Sequence, residues 1–265
     1  MRFIEASSRL EDTTYFVTVF EGGKPLNPET TISSGSAVAI TTRGDLLTAA
    51  HVITGSMPPR KDVLEDPNVI TLARKKGGQF IQYVPGRLAL GLNNPAVRET
   101  LYIDLGLLRP LSPQEHVPFL EIDYEPVKVG CEVLMAGYPD DMEQVFSVDR
   151  KLRLEAQGVQ RIHRDLRANQ LLMIKSAMIG HRSGFNLSDG KRVVEGDILY
   201  ADNELHSGAS GGPIVSLDSK LVGIIAQRAV TSISTDAHPG LRVPSGSTVA
   251  FSPRAIKDWI AEIAD

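Results

Sequence analysis

Short apolar runs separated by clusters of glycine, proline, asparagine and aspartate recur along most of this 265-residue chain. Residues 15–20, 36–40, 69–73, 80–84, 103–108, 133–137, 171–174, 198–200, 221–226 and 248–251 are rich in Val, Ile, Thr, Phe and Tyr. This spacing predicts antiparallel strands, in barrels or sandwiches, rather than βαβ units. Only the C-terminal end reads as helix. There Ser252 suits an N-cap, Pro253 suits the first helical position, and Ile256, Trp259, Ile260 and Ile263 fall at helical spacing on one face. No internal repeat or low-complexity tract is visible.

Composition narrows the partners more than the fold. A hydrophobic fraction of 42% in 265 residues suits either one large all-β domain or two small barrels. A net charge of -4 argues against nonspecific nucleic-acid binding, which depends on neutralising phosphates. The basic run Arg74-Lys75-Lys76 before Gly77-Gly78 reads as a solvated hairpin turn, and the segment from Arg161 to Arg167 as an exposed loop. Cys131 is the only cysteine, so no intramolecular disulfide can form; its apolar surroundings predict an inert core thiol. His116, His163, His181, His206 and His238 lack metal-ligand spacing, so neither a metal nor another cofactor is expected. The start, Met1-Arg2-Phe3-Ile4-Glu5-Ala6, has no continuous apolar run, and no segment reaches membrane-spanning length. These features give a cytoplasmic location with no membrane partner as the expectation.

Chemistry enters with Ser207-Gly208-Ala209-Ser210-Gly211-Gly212-Pro213. A serine is a weak nucleophile unless a base lies within hydrogen-bond reach and donors face the oxygen that becomes negative. Gly208 lacks a Cβ, so its N–H can turn toward a bound carbonyl and form a two-donor hole with the N–H of Ser210. Gly211 and Gly212 allow a tight exit, and Pro213 begins the next strand. Two earlier segments can complete such a site. Thr48-Ala49-Ala50-His51 offers an imidazole, and Ile103-Asp104-Leu105-Gly106 offers a carboxylate inside an apolar run. A buried Asp104 needs partners, and the N–H groups of Ala50 and His51 together with the imidazole are the expected ones.

These motifs, with Gly35-Ser36-Ala37-Val38 before the histidine segment and the run from Gly130 to Pro139, resemble the trypsin-like serine peptidases of chymotrypsin fold. The likeness runs from about Gly35 to the C-terminus and is closer to the bacterial HtrA-like protease domain, without a PDZ extension, than to digestive enzymes. It implies an all-β protein of two antiparallel six-stranded β-barrels with a C-terminal α-helix. Residues 1–122 would carry His51 and Asp104, and residues 123–265 would carry Ser210, with the helix beginning at about 253. By the same resemblance His51, Asp104 and Ser210 form a catalytic triad, and Gly208 and Ser210 supply the oxyanion hole. The implied activity is that of a serine endopeptidase acting on protein or peptide substrates through an acyl-enzyme.

Departures from the family pattern bear on control and specificity. Ala209 stands where zymogens place an aspartate that pairs with a new N-terminus, so activation by that ion pair is not expected. Ala226 replaces a serine that supports the triad aspartate in digestive enzymes. Glu204, His206, Gln227, Arg228 and Thr248 are the candidate pocket residues. Glu204 matches the position that gives trypsin its preference for Lys or Arg, while Arg228 matches a pocket-mouth position and can neutralise it, leaving a restricted or aliphatic pocket as the alternative. A regulatory protein partner is a candidate means of control. A non-catalytic binding scaffold and a hydrolase of non-peptide esters are the competing function classes.

Overall fold

The apolar runs become strands in the computed structural model, which describes residues 2–94, 99–112, 114–139, 171–188, 193–233 and 241–264. The first six strands are β1 (Thr14–Phe20), β2 (Thr31–Ala39), β3 (Leu46–Thr48), β4 (Ile70–Lys75), β5 (Ile81–Asn94) and β6 (Glu99–Pro110). They close into a barrel in the order β1-β2-β3-β6-β5-β4, with antiparallel neighbours throughout. The second set is β7 (Glu132–Gly137), β8 (Met173–Ser188), β9 (Val193–Ala201), β10 (Pro213–Ser216), β11 (Leu221–Ile233) and β12 (Leu241–Phe251). It closes in the equivalent order β10-β11-β12-β9-β8-β7, again antiparallel. The all-β double barrel implied by the resemblance is therefore the fold observed.

Three apolar clusters explain why these strands read as continuous apolar runs. Tyr15, Val17, Ala37, Ala39 and Leu46 fill the first barrel, and Val133, Met135, Ile214, Val222 and Ile225 fill the second. Their strand neighbours Val38, Leu47, Leu134, Val215 and Ile224 join a third cluster together with Ile103, Leu105 and Leu107. Side chains alternate in direction along a strand, so a strand buried on both faces loses the polar half of its pattern.

Helices lie at the chain ends and beside the site. The C-terminal prediction holds at its start: Ser252 accepts the Arg254 N–H at 3.1 Å and Pro253 opens a 3-10 turn, Pro253–Ile256. Ile256, Trp259 and Ile260 are buried in the third cluster, and the side chain of Ile263 lies outside the described residues. The expectation that only this end is helical is overturned. Helix α1 (Arg2–Thr13) precedes the first strand, while α2 (Ala50–Thr54) and the short α3 (Lys61–Glu65) lie between β3 and β4; α4 (Lys257–Ala264) follows the capped turn. In α1 only Ala6, Leu10 and Thr13 are buried, a sparse i, i+4, i+7 stripe that leaves Phe3 and Ile4 outside.

Several strands outrun their apolar signal. Strand β8 continues to Ser188 with mostly exposed side chains, because its outer part pairs only with β9, and only Phe185 and Leu187 there pack against the third cluster. Cys131 corrects the core-thiol expectation: it is exposed, one residue before β7 enters the barrel. The Arg74-Lys75-Lys76 segment ends β4 at a turn, with the Arg74 guanidinium 5.1 Å from the Phe80 ring centroid and Lys76 paired with Glu11 of α1 at 2.7 Å. The segment from Arg161 to Arg167, including His163, and the histidine His238 lie outside the described residues. Among the described residues no helix is long and apolar enough to cross a membrane.

Candidate active site

His51 is placed by a change of backbone direction at the end of β3. Ala49 is still extended, Ala50 begins α2, and the left-handed Gly55 closes that single turn by donating its N–H to the His51 carbonyl at 2.7 Å. The helix brings both the backbone and the ring of His51 to Asp104 on β6. Asp104 Oδ1 accepts the His51 backbone N–H at 3.0 Å, and Oδ2 lies 2.6 Å from His51 Nδ1. The Asp104 side chain is only 11% exposed, so these two contacts offset the desolvation of its carboxylate and fix the imidazole orientation. The contacts to the Asp104 carboxylate come from the backbone and ring of His51, not from the Ala50 N–H that was also expected to contribute.

Ser210 reaches the same region from the second barrel, on the loop between β9 and β10. The loop is held through three of its peptide N–H groups. Ala209 N–H donates to the His206 carbonyl at 3.2 Å, Gly212 N–H to the Ala209 carbonyl at 2.9 Å, and Gly211 N–H to the Ile225 carbonyl at 2.7 Å. The N–H groups of Gly208 and Ser210 meet no backbone acceptor among the described residues. Gly208 has φ +86, a region in which any side chain would be strained. The Ser210 hydroxyl donates to the Ala226 carbonyl of β11 at 3.1 Å. Free sites often lack the fully formed base–nucleophile contact, which tightens when substrate is present.

His51, Asp104 and Ser210 all line a single cleft of about 340 Å³. His206, Gln227, Arg228 and Thr248, four of the five expected pocket residues, line it too, along with Leu205, Ile225 and Ala226. Glu204 is not among the lining residues: its carboxylate is 3.5 Å from Arg228 Nη1, and its carbonyl accepts from Lys175 Nζ at 2.6 Å. The pocket side of this loop is pinned by Thr248, whose hydroxyl accepts the Leu205 N–H at 3.2 Å and donates to the Asn203 carbonyl at 2.9 Å. Leu205 is buried and points its apolar bulk into the second-barrel core. Ser56 and Met57, which also line the cleft, were not foreseen; they follow α2 closely, and only the position of His51 could have suggested them. No grouping of three or more His, Cys, Asp or Glu side chains among the described residues could hold a metal ion.

Comparison with solved structures finds the same architecture in the Rv3671c protease from M. tuberculosis. Its active form matches with 16% identity and a TM-score of 0.53, covering 97% of this chain and 83% of that one. Its inactive form matches with 14% identity and a TM-score of 0.55, covering 98% and 93%. No curated protein sequence matches the chain. The trypsin-like peptidase domain family matches residues 35–224, a stretch that includes His51, Asp104 and Ser210 and well over half of the chain, so this protein belongs to that family.

Proposed function

We propose that this peptidase is a serine endopeptidase in which Ser210 is the nucleophile, His51 the general base and then acid, and Asp104 the residue that orients His51. The single observation that carries the reading is the 2.6 Å contact between His51 Nδ1 and Asp104 Oδ2 on the wall of the cleft that also receives Ser210. With Nδ1 engaged, the lone pair of Nε2 is available for the Ser210 proton. Oγ then bonds to the scissile carbonyl carbon while the proton passes to Nε2. The carbonyl oxygen takes the negative charge toward the N–H groups of Gly208 and Ser210. Collapse of the adduct breaks the C–N bond, the Nε2 proton goes to the leaving amine, and water repeats the sequence to release the acyl group. In this reading residues 1–122 supply the base and residues 123–265 the nucleophile and its donors.

The Ser210 hydroxyl must leave the Ala226 carbonyl to take up this role, by rotation about its Cα–Cβ bond. Lys or Arg on the acyl side requires the Glu204 carboxylate to face the substrate. Its pairing with Arg228, and its place outside the cleft lining, favour the alternative of a restricted pocket that takes a small or aliphatic acyl-side residue. A peptide-library cleavage profile tests this. Small aliphatic residues should dominate, with Glu204→Gln giving the same profile as wild type. Selective cleavage after Lys or Arg that is lost in Glu204→Gln would restore Glu204 to the pocket.

A further inference from the structure

Ser36 has no part in the chemistry above, yet its polar groups reach the Ser210 loop from the other barrel. It lies on β2 and is fully buried. Its hydroxyl donates to the Gly208 carbonyl at 2.9 Å and accepts the Tyr138 N–H at 2.8 Å. Its own N–H donates to the Ser210 carbonyl at 2.7 Å, and its carbonyl accepts the Thr48 hydroxyl at 2.6 Å. A buried hydroxyl among small apolar neighbours is costly unless it is paired, and alanine at this position would fill nearly the same space.

We propose that Ser36 is a positioning residue that orients the two oxyanion donors, acting through Gly208 and the peptide after Ser210. This rests on the serine-peptidase reading given above. The peptide linking Gly208 to Ala209 is held at both ends, its carbonyl by the Ser36 hydroxyl and its N–H by His206. The peptide linking Ser210 to Gly211 is likewise held at both ends, its carbonyl by the Ser36 N–H and its N–H by Ile225. The Ser210 N–H belongs to the peptide between these two and the Gly208 N–H to the peptide just before them, and both are groups without a backbone acceptor among the described residues. Ser36 therefore grips the carbonyl of each residue whose N–H is to meet the oxyanion. Glycine at 208 makes the grip necessary, because without a Cβ the preceding peptide can rotate at little cost. Ala209 offers no polar anchor: it is buried in the second-barrel core. The same hydroxyl receives the N–H of Tyr138, just after β7, so one side chain fixes β2, the end of β7 and the loop relative to one another.

The test is steady-state kinetics on wild type, Ser36→Ala and Ser36→Cys, with affinity for a peptide aldehyde, which forms a tetrahedral adduct on an active serine, measured alongside. Removing one oxyanion donor outright costs about 10²- to 10³-fold, so loosening both is expected to lower kcat by about 10- to 100-fold. KM should stay within about twofold, and aldehyde affinity should fall by the same factor as kcat, since only the tetrahedral state needs the donors. Cysteine keeps the shape with a weaker donor, so it secures a folded variant and should lie between wild type and alanine. A folded Ser36→Ala or Ser36→Cys with wild-type kcat, or with KM raised and kcat unchanged, overturns the inference. Wild-type protein that neither cleaves peptides nor binds the aldehyde overturns instead the serine-peptidase reading on which it rests.

Discussion

The Ser210 loop is clamped by both barrels, and the fit at Gly211 leaves no room for a side chain. A Cβ there would lie 2.0 Å from the Ser36 carbonyl oxygen and 2.1 Å from Thr48 Oγ1, with φ at +84. The left-handed backbone alone costs an alanine roughly 1–2 kcal/mol, and the contact with fixed backbone adds to it. Gly211→Ala is therefore expected to lower stability by more than about 2 kcal/mol in denaturant melts, and the folded remainder to lose about 10²-fold in kcat/KM. Wild-type stability and activity would show that the loop can sit elsewhere. Residues such as Gly211, His51, Asp104 and Ser210 are legible in the sequence because each is tied to a short motif whose chemistry demands that residue type. Ser36 is different. It stands inside a quoted motif, but its partner Gly208 is 172 positions away, and a serine in an apolar strand carries no local sign of what its hydroxyl meets. The Glu204–Arg228 conflict was visible as two opposed charges at pocket positions, and geometry was needed to pair them at 3.5 Å.

At the level of elements, α1 is the longest of the helices that pattern reading missed, and its burial gives it a measurable role. Leu10 is fully buried in the third apolar cluster with Leu120, Leu134 and Trp259, whereas Phe3 on the same helix is 40% exposed. Leu10→Ala should cost about 2–4 kcal/mol of stability, while Phe3→Ser should stay within about 0.5 kcal/mol. Urea melts of the two variants check this, and equal effects would mean that α1 is not docked as described. The stripe escaped notice because three buried positions in twelve residues fall below a usual amphipathic face. The C-terminal turn was legible for the opposite reason, since Ser252, Pro253 and a dense apolar stripe agree at every position. Strand lengths fared between these two. The core-facing part of β11 reads as Leu221 to Ala226, but its arm continues to Ile233 by backbone pairing with β12, which leaves no apolar signature.

Seen whole, the molecule is two barrels whose contact surface holds both the third core and the cleft, and the buried Tyr138 joins them. Tyr138 follows β7 yet packs its ring edge-on to Phe16 of β1 at 6.0 Å, and its hydroxyl donates to the Thr14 carbonyl at 3.3 Å. Burial pushes its phenol up to about 12, partly offset by the Arg74 charge, and burial also raises the phenols of Tyr83 and Tyr15 in the first barrel. In the unfolded chain these groups ionise near pH 10, so above that pH the unfolded state loses protons that the native state keeps. Stability from the neutral phenols is thus complete below about pH 10 and declines as pH rises toward 12. The urea midpoint should fall over that window, with a shallower fall in Tyr138→Phe; a flat profile would contradict the burial. The central claim, that this assembly presents Ser210 as an activated nucleophile, is tested most directly by fluorophosphonate labelling with mass mapping of the adduct. A single adduct on Ser210, lost in Ser210→Ala and slowed by about 10³-fold or more in His51→Ala, is the result predicted. Native, folded protein that forms no Ser210 adduct, or labels equally well without His51, would contradict it.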